Sequence, residues 1–201
     1  MDELSFKLKI VNYFNETPDK IINFEYPFDY NKRRCDVLIV ENDSVTAIEI
    51  KSNIDKLTNL KEQLFSYYQA FNTVYVACGD KYINEIKRIK GRFGIIYINK
   101  NEIKIVRKAK FKKTLNTRMI LDMLDKTSLE KVIGIKMPTK QELIELILIT
   151  YSQTEIQKIY YTTLKNKLSP IHKIFLKEKG KHITQEDIAL LTLKSTRLSI
   201  N

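Results

Sequence analysis

Two β-branched-rich runs separated by a short polar turn constrain this chain more than any other feature. RCDVLIV (residues 34–40) and VTAIEIK (residues 45–51) read as strands, and ENDS between them reads as the turn. Pairing Val40 with Val45 makes a hairpin, and a two-residue loop at Asn42-Asp43 gives the same register. Carried back along both strands, that register sets Asp36 opposite Glu49 and Arg34 opposite Lys51. Because side chains alternate between faces, Asp36, Glu49 and Lys51 should project from one side of the hairpin. Directly opposed residues have Cβ atoms roughly 4.5–5.5 Å apart, where like charges are destabilising. Two acids placed so badly for folding point to a divalent cation between them. The plainer alternative pairs Asp36 and Glu49 with Arg34 and Lys51 as ions on a solvated sheet face.

Around this hairpin the periodicity predicts an α/β order. Residues 3–15 carry apolar side chains at helical spacing, and Phe24–Phe28 reads as an edge strand broken by Pro27. After the hairpin, a helix over Asp55–Phe71 sets Leu57, Leu60, Leu64, Tyr68 and Phe71 on one face. TVYVAC (73–78) reads as a buried strand, parallel to its predecessor because a helix separates them. A short helix from Asp80 to Ile89 and a second hairpin, GIIYIN and EIKIVRK turning at Lys100-Asn101, complete this half. Residues 109–201 read as helices apart from a strand-like VIGI stretch. A capping box starts one at Thr139-Lys-Gln-Glu142, Pro170 begins another piece, and Gly180 ends it. The expected organisation is a domain over 1–108 and a basic helical domain over 109–201, packed together without a linker.

The order of acid, hairpin, Glu-x-Lys and amphipathic helix resembles the PD-(D/E)XK nuclease superfamily. Gln63-x-x-x-Tyr67 on that helix resembles the Q-x-x-x-Y motif of its RecB-like branch, and residues 49–78 are similar to its bacterial sce-type family. The resemblance covers about residues 25–98, with Cys35 where the motif has proline. It implies an αβββαβ core of the restriction-endonuclease-like kind, followed by the mainly helical part. It implies Mg²⁺ or Mn²⁺ held by Asp36, Glu49 and the backbone carbonyl of Ile50, with Glu3 and Glu25 both open as an extra ligand. Lys51 would position or activate the attacking water, while Gln63 and Tyr67 would orient the lysine and contact DNA. All five side chains, Asp36, Glu49, Lys51, Gln63 and Tyr67, are then expected in the catalytic unit.

Charge agrees with a polyanionic partner. The net charge is +11 and the pI about 9.4, and residues 109–201 hold 17 Lys and Arg against nine Asp and Glu. The helical half is expected to bind phosphates with strong salt dependence, and Arg33, Arg34 and Lys56 to contact nucleic acid near the acids. Tyr151, Tyr160 and Tyr161 offer stacking rings, though their spacing is that of core residues. The expected partner is DNA before RNA, with a homodimer left open. No apolar run approaches the roughly 18 residues of a membrane span, and Cys35 and Cys78 read as reduced core thiols, so the expected location is cytoplasmic. His172 and His182 pair with no acid at ligand spacing, and no P-loop, zinc site or serine elbow occurs. The rival to a nuclease is an adaptor that keeps the fold and no longer cuts.

Overall fold

The structure, a computed structural model, describes residues 1–15 and 19–192; the end of the expected helical half, 193–201, lies outside the described residues. These residues form a mixed α/β protein with one six-stranded sheet and eight helices. Strands β1 (Lys20–Phe28), β2 (Arg33–Glu41), β3 (Ser44–Lys51), β4 (Thr73–Cys78), β5 (Gly94–Ile98) and β6 (Ile103–Arg107) lie in sequence order across the sheet. The β1/β2, β2/β3 and β5/β6 pairs are antiparallel, and β3/β4 and β4/β5 are parallel. The first hairpin has the expected register, Val40 against Val45 and Val37 against Ile48, closed by Asn42-Asp43 with Asn42 left-handed at φ 44°.

Helices cover both faces because both faces of the central strands are apolar. Helix α1 (Glu3–Phe14) starts where Asp2 accepts a hydrogen bond from the Ser5 N–H at 2.9 Å. It lays Phe6, Ile10 and Phe14 on Ile22, Phe24, Val37, Ile39, Ile48 and Ile50. On the other face, α2 (Leu60–Ala70) sets Leu60, Leu64 and Tyr67 against Leu38, Val40, Val45 and Ala47. This helix is shorter than expected. Asp55 turns back to accept the backbone and side-chain hydrogen bonds of Ser52 at 2.7 and 2.6 Å, which holds residues 52–59 as a loop. Helix α3 (Asp80–Arg88) makes the second crossover, from β4 to β5.

The remaining helices are α4 (Thr117–Asp122), α5 (Lys126–Ile133), α6 (Lys140–Thr150), α7 (Gln153–Glu178) and α8 (Gln185–Thr192). The Thr139 capping box opens α6 as expected. Two expectations fail. VIGI is no strand: it closes α5, with Gly134 at φ 75° receiving the helix end. Nor does Pro170 start a new helix, because α7 runs through it for 26 residues. Leu168 and Ile171 are buried on either side of Pro170, so packing outweighs the one backbone bond a proline removes. Strand β1 is also longer than expected and is not broken at Pro27, which stays paired with Arg34 of β2. Helix α7 passes along its outer edge, from Leu164 and Leu168 on one core to Phe175 on the other, and covers backbone that an edge strand would leave open.

Both cores therefore mix residues from either side of position 108. Asn72 ties them further. Its side chain accepts from the Val45 N–H at 2.9 Å and donates to the Lys112 carbonyl at 2.9 Å and the Tyr161 hydroxyl at 3.0 Å. Tyr160 and Tyr161 are core residues, and Cys35 and Cys78 are buried free thiols. Among the described residues, no helix is long and apolar enough to cross a membrane.

Edge coverage by α7 has a pH signature. His172 is buried, its Nδ1 accepting the Ile22 N–H at 3.4 Å. Burial, helped by the charge of Lys179, pushes its imidazole down to about 4 from 6.5. The unfolded chain thus takes up a proton near pH 6.5 that the folded chain refuses until about pH 4. Stability present above the upper value should fall as pH drops through this window. His172→Gln should flatten the slope of melting temperature against pH there, whatever its absolute stability.

Candidate functional site

The site begins where alternation fails. Along β1, Ile22 and Phe24 face the α1 core, yet Tyr26 and Phe28 face the α2 core. Along β2, Leu38 and Val40 face the α2 core, and so does Cys35. The phase reverses in both strands at one row, Glu25 and Asp36, which lie opposite each other in the β1/β2 register. Glu25 is left-handed at φ 52°, a conformation rare for a residue with a side chain, and it turns the strand there. The β2/β3 ladder also ends at this row, its last pair being Val37 with Ile48. Asp36 therefore does not simply share a face with Glu49. Its carboxylate reaches across the opened gap and accepts the Ile50 N–H at 2.6 Å.

Glu49 is 4% exposed and Lys51 6%, so the acids do not line a solvated face. Lys51 Nζ donates to Glu49 Oε1 at 2.7 Å and to Gln63 Oε1 at 2.9 Å. Gln63 Nε2 donates to the same Glu49 oxygen at 2.7 Å, and the Tyr67 hydroxyl donates to Glu49 Oε2 at 2.6 Å. Glu49 and Lys51 share a face of β3, and Gln63 and Tyr67 stand one turn apart on α2, which packs on that face. This brings four of the expected residues into one hydrogen-bonded cluster. Asp36 lies beside them without an ion pair among the described residues. Arg34, expected opposite Lys51, instead pairs with Pro27 on β1, and Lys51 pairs with Cys78 on β4.

Burial is the main reason the Asp36 carboxyl stands well above the usual carboxylate range; the negative charge of Glu49 adds to it, and the Ile50 N–H opposes it. Glu25 and Glu3 add smaller contributions. Burial likewise pushes the Tyr67 hydroxyl and the Cys35 thiol well up, so both stay protonated. Behind the row stands Lys7 of α1, which sequence reading passed over. It binds Glu25 and Glu3, each at 2.6 Å. Burial alone would lower its ammonium, but those two hydrogen bonds outweigh burial and hold it above its ordinary value. The signal for it was present: a lysine on the seam of α1 that otherwise buries Ile10, Val11 and Phe14.

The basic residues expected to touch nucleic acid divide. Lys56 is exposed in the β3–α2 loop and Arg34 is exposed on β2, where it donates to the Glu25 carbonyl at 3.4 Å. Arg33 is engaged instead with Glu62, with Ser66 at 3.1 Å and with Asp29 at 3.4 Å.

For a cation, the donor set is hard oxygen only. Among the described residues, no three His, Cys, Asp or Glu side chains are grouped to hold a metal by themselves. Two carboxylates with a backbone oxygen and water fit Mg²⁺, which keeps several waters and takes one or two carboxylates. Within a strand the N–H and C=O of one residue point to the same side. The Ile50 carbonyl therefore points toward the gap that Asp36 enters.

Fold and site together define a mixed α/β protein built round a buried carboxylate, lysine and amide cluster. The chain belongs to the family described as Bacteriophage P4 protein cII, matched over residues 1–192. It is 28% identical to Protein cII of Enterobacteria phage P4 over 177 residues, which is 82% of this chain and 67% of that protein. Among solved structures, a protein of unknown function from Silicibacter pomeroyi is 16% identical, covering 78% of this chain and 90% of that one with a TM-score of 0.45. The Pyrococcus furiosus SfsA structure in complex with Ca²⁺ is 12% identical, covering 54% and 64%, with a TM-score of 0.30. Neither likeness is close enough to bear on the chemistry.

The Tyr67 hydroxyl holds a buried carboxylate, while its ring packs on Phe28 with centroids 4.8 Å apart. Tyr67→Phe should keep the ring contacts and lose the bond to Glu49 together with the longer contact to the Arg34 carbonyl at 3.3 Å. A cost of about 1.5–3 kcal/mol is expected for a hydrogen bond to a charged group, read as a lower midpoint in denaturant with unchanged slope.

Proposed function

We propose that this protein is a metal-dependent nuclease of the PD-(D/E)XK kind, hydrolysing phosphodiester bonds in DNA. The observation that carries the reading is the half-buried Asp36 carboxylate, beside Glu49 and without an ion pair among the described residues, while Lys51, Gln63 and Tyr67 converge on Glu49. Such an arrangement is poor for folding and suits a site completed by a cation. The positive net charge supports a polyanionic substrate.

In this reading Asp36, Glu49 and the Ile50 carbonyl would hold Mg²⁺ or Mn²⁺. The ion would neutralise charge on the phosphate and lower the pKa of a bound water. Gln63 fixes the lysine by accepting one of its hydrogen bonds, and Tyr67 fixes the second oxygen of Glu49. Lys51, so oriented, presents its remaining N–H to the attacking water or to the oxygen gaining charge. Buried strands on both sides exclude bulk water, which strengthens these interactions.

Melting curves separate this from an ordinary ion-paired sheet. In EDTA, Asp36→Asn should be as stable as the parent or more so, since it removes a repulsive carboxylate and keeps an acceptor for Ile50. A cation at ten times its dissociation constant should stabilise the parent by about 1.4 kcal/mol, roughly 3–5 °C at this chain length. The variant should gain little. Lys51→Met, folded by the same criterion, should cut DNA at least about 100-fold more slowly. A protein that binds DNA, gains nothing from metal and never cuts would be the adaptor instead.

A further inference from the structure

The β1–β2 turn holds a conformation that a connecting loop does not require. Asp29, Tyr30 and Asn31 are all left-handed, at φ 52°, 57° and 62°. Asp and Asn tolerate this region; an aromatic residue there is an outlier. The turn is nonetheless fixed from beneath. Asp29 accepts from the Ser66 hydroxyl at 2.9 Å, and Arg33 bridges Asp29, Ser66 and Glu62 on α2. That staple holds the strained segment rigid and directs Tyr30 outward, where it is 44% exposed. Phe65, beside Ser66 on α2, is 67% exposed. Two exposed cations, Lys32 and Arg34, follow it closely in sequence, whereas Arg118 on α4 is engaged by Glu145. Asp36 follows Arg33 by three residues, about 10 Å along the strand.

Strain maintained at a surface by a dedicated network is a mark of function rather than of folding. An exposed ring flanked by cations suits an unpaired base between two phosphates. We propose that this turn is a single-strand binding site in which Tyr30 stacks on one unpaired base while Lys32 and Arg34 take the adjoining phosphates. Arg33 is a positioning residue that holds the turn and contacts no substrate. The inference rests on the reading of the substrate as nucleic acid. It adds to it that the strand is presented to Asp36 and Glu49 unpaired.

Binding of single-stranded oligonucleotides carrying 2-aminopurine, measured in EDTA, tests this without any cutting. The parent should stack on the probe base and change its fluorescence. Tyr30→Asn keeps a residue that accepts the left-handed backbone and should fold at least as stably, yet bind about tenfold more weakly. Its slope of log affinity against log salt should not change. Tyr30→Phe should bind like the parent, and Lys32→Gln should lower the slope by about 0.7. Parental affinity in Tyr30→Asn, or equal losses in the Phe and Asn variants, would overturn the proposal. A parent that binds no single strand overturns it as well, while the metal-dependent melting still decides the nuclease reading. A parent that stacks on the probe but neither cuts nor responds to metal leaves this site standing and removes the nuclease.

Discussion

Glu49 and Lys51 lie two residues apart on a strand buried on both faces, and the arrangement of the rest follows from keeping them there. Taking a carboxylate and an ammonium out of water costs several kcal/mol each unless every remaining lone pair and proton is used. Tyr67 and Gln63 meet most of that demand, because their spacing on α2 presents both to one face of β3, and they leave one lysine N–H and part of the carboxylate's acceptor capacity over. The apolar stripe of the same helix, Leu60 and Leu64 against Val45 and Ala47, then sets its height on the sheet. A helix chosen only for burial could slide or rotate; one that must also deliver an amide and a phenol to one carboxylate has a single position.

The second constraint is the row of Glu25 and Asp36. Here both strands exchange faces, the hairpin ladder ends, and a left-handed residue with a side chain is tolerated on an edge strand. Lys7 from one side and Ile50 from the other make the row tolerable, one by neutralising Glu25, the other by donating to Asp36. The outer edge of β1 is packed by α7, whose His172 accepts the Ile22 N–H. The helical part is thus structural as well as basic: it closes the edge on which the site depends.

Two departures from regular geometry, Glu25 on β1 and the Asp29–Asn31 turn between β1 and β2, lie close to Asp36. Regular strands there would give a stronger ladder and no gap. The fold gives up ladder hydrogen bonds at one row and gains a carboxylate, Asp36, that has no ion pair among the described residues and accepts from the Ile50 N–H instead.

Much of this was legible in the residues alone. The hairpin register, the parallel crossover and the Thr139 capping box follow from periods of two and 3.6 residues and from turn chemistry, whereas the grouping of Gln63 and Tyr67 with Glu49 and Lys51 was implied by the family resemblance. These are local rules, and they act wherever the pattern is written. What the tertiary structure alone decided is of another kind. Asp36 left the face that alternation assigns it because Glu25, eleven residues away, turns left-handed beneath it. Pro170 failed to break α7 because buried neighbours on both sides outweighed one lost bond. Arg33, basic and near the acids, became a staple because Asp29, Glu62 and Ser66 were folded up to meet it. In each case residues distant in sequence supplied the energy, and no local period records which distant partner will arrive.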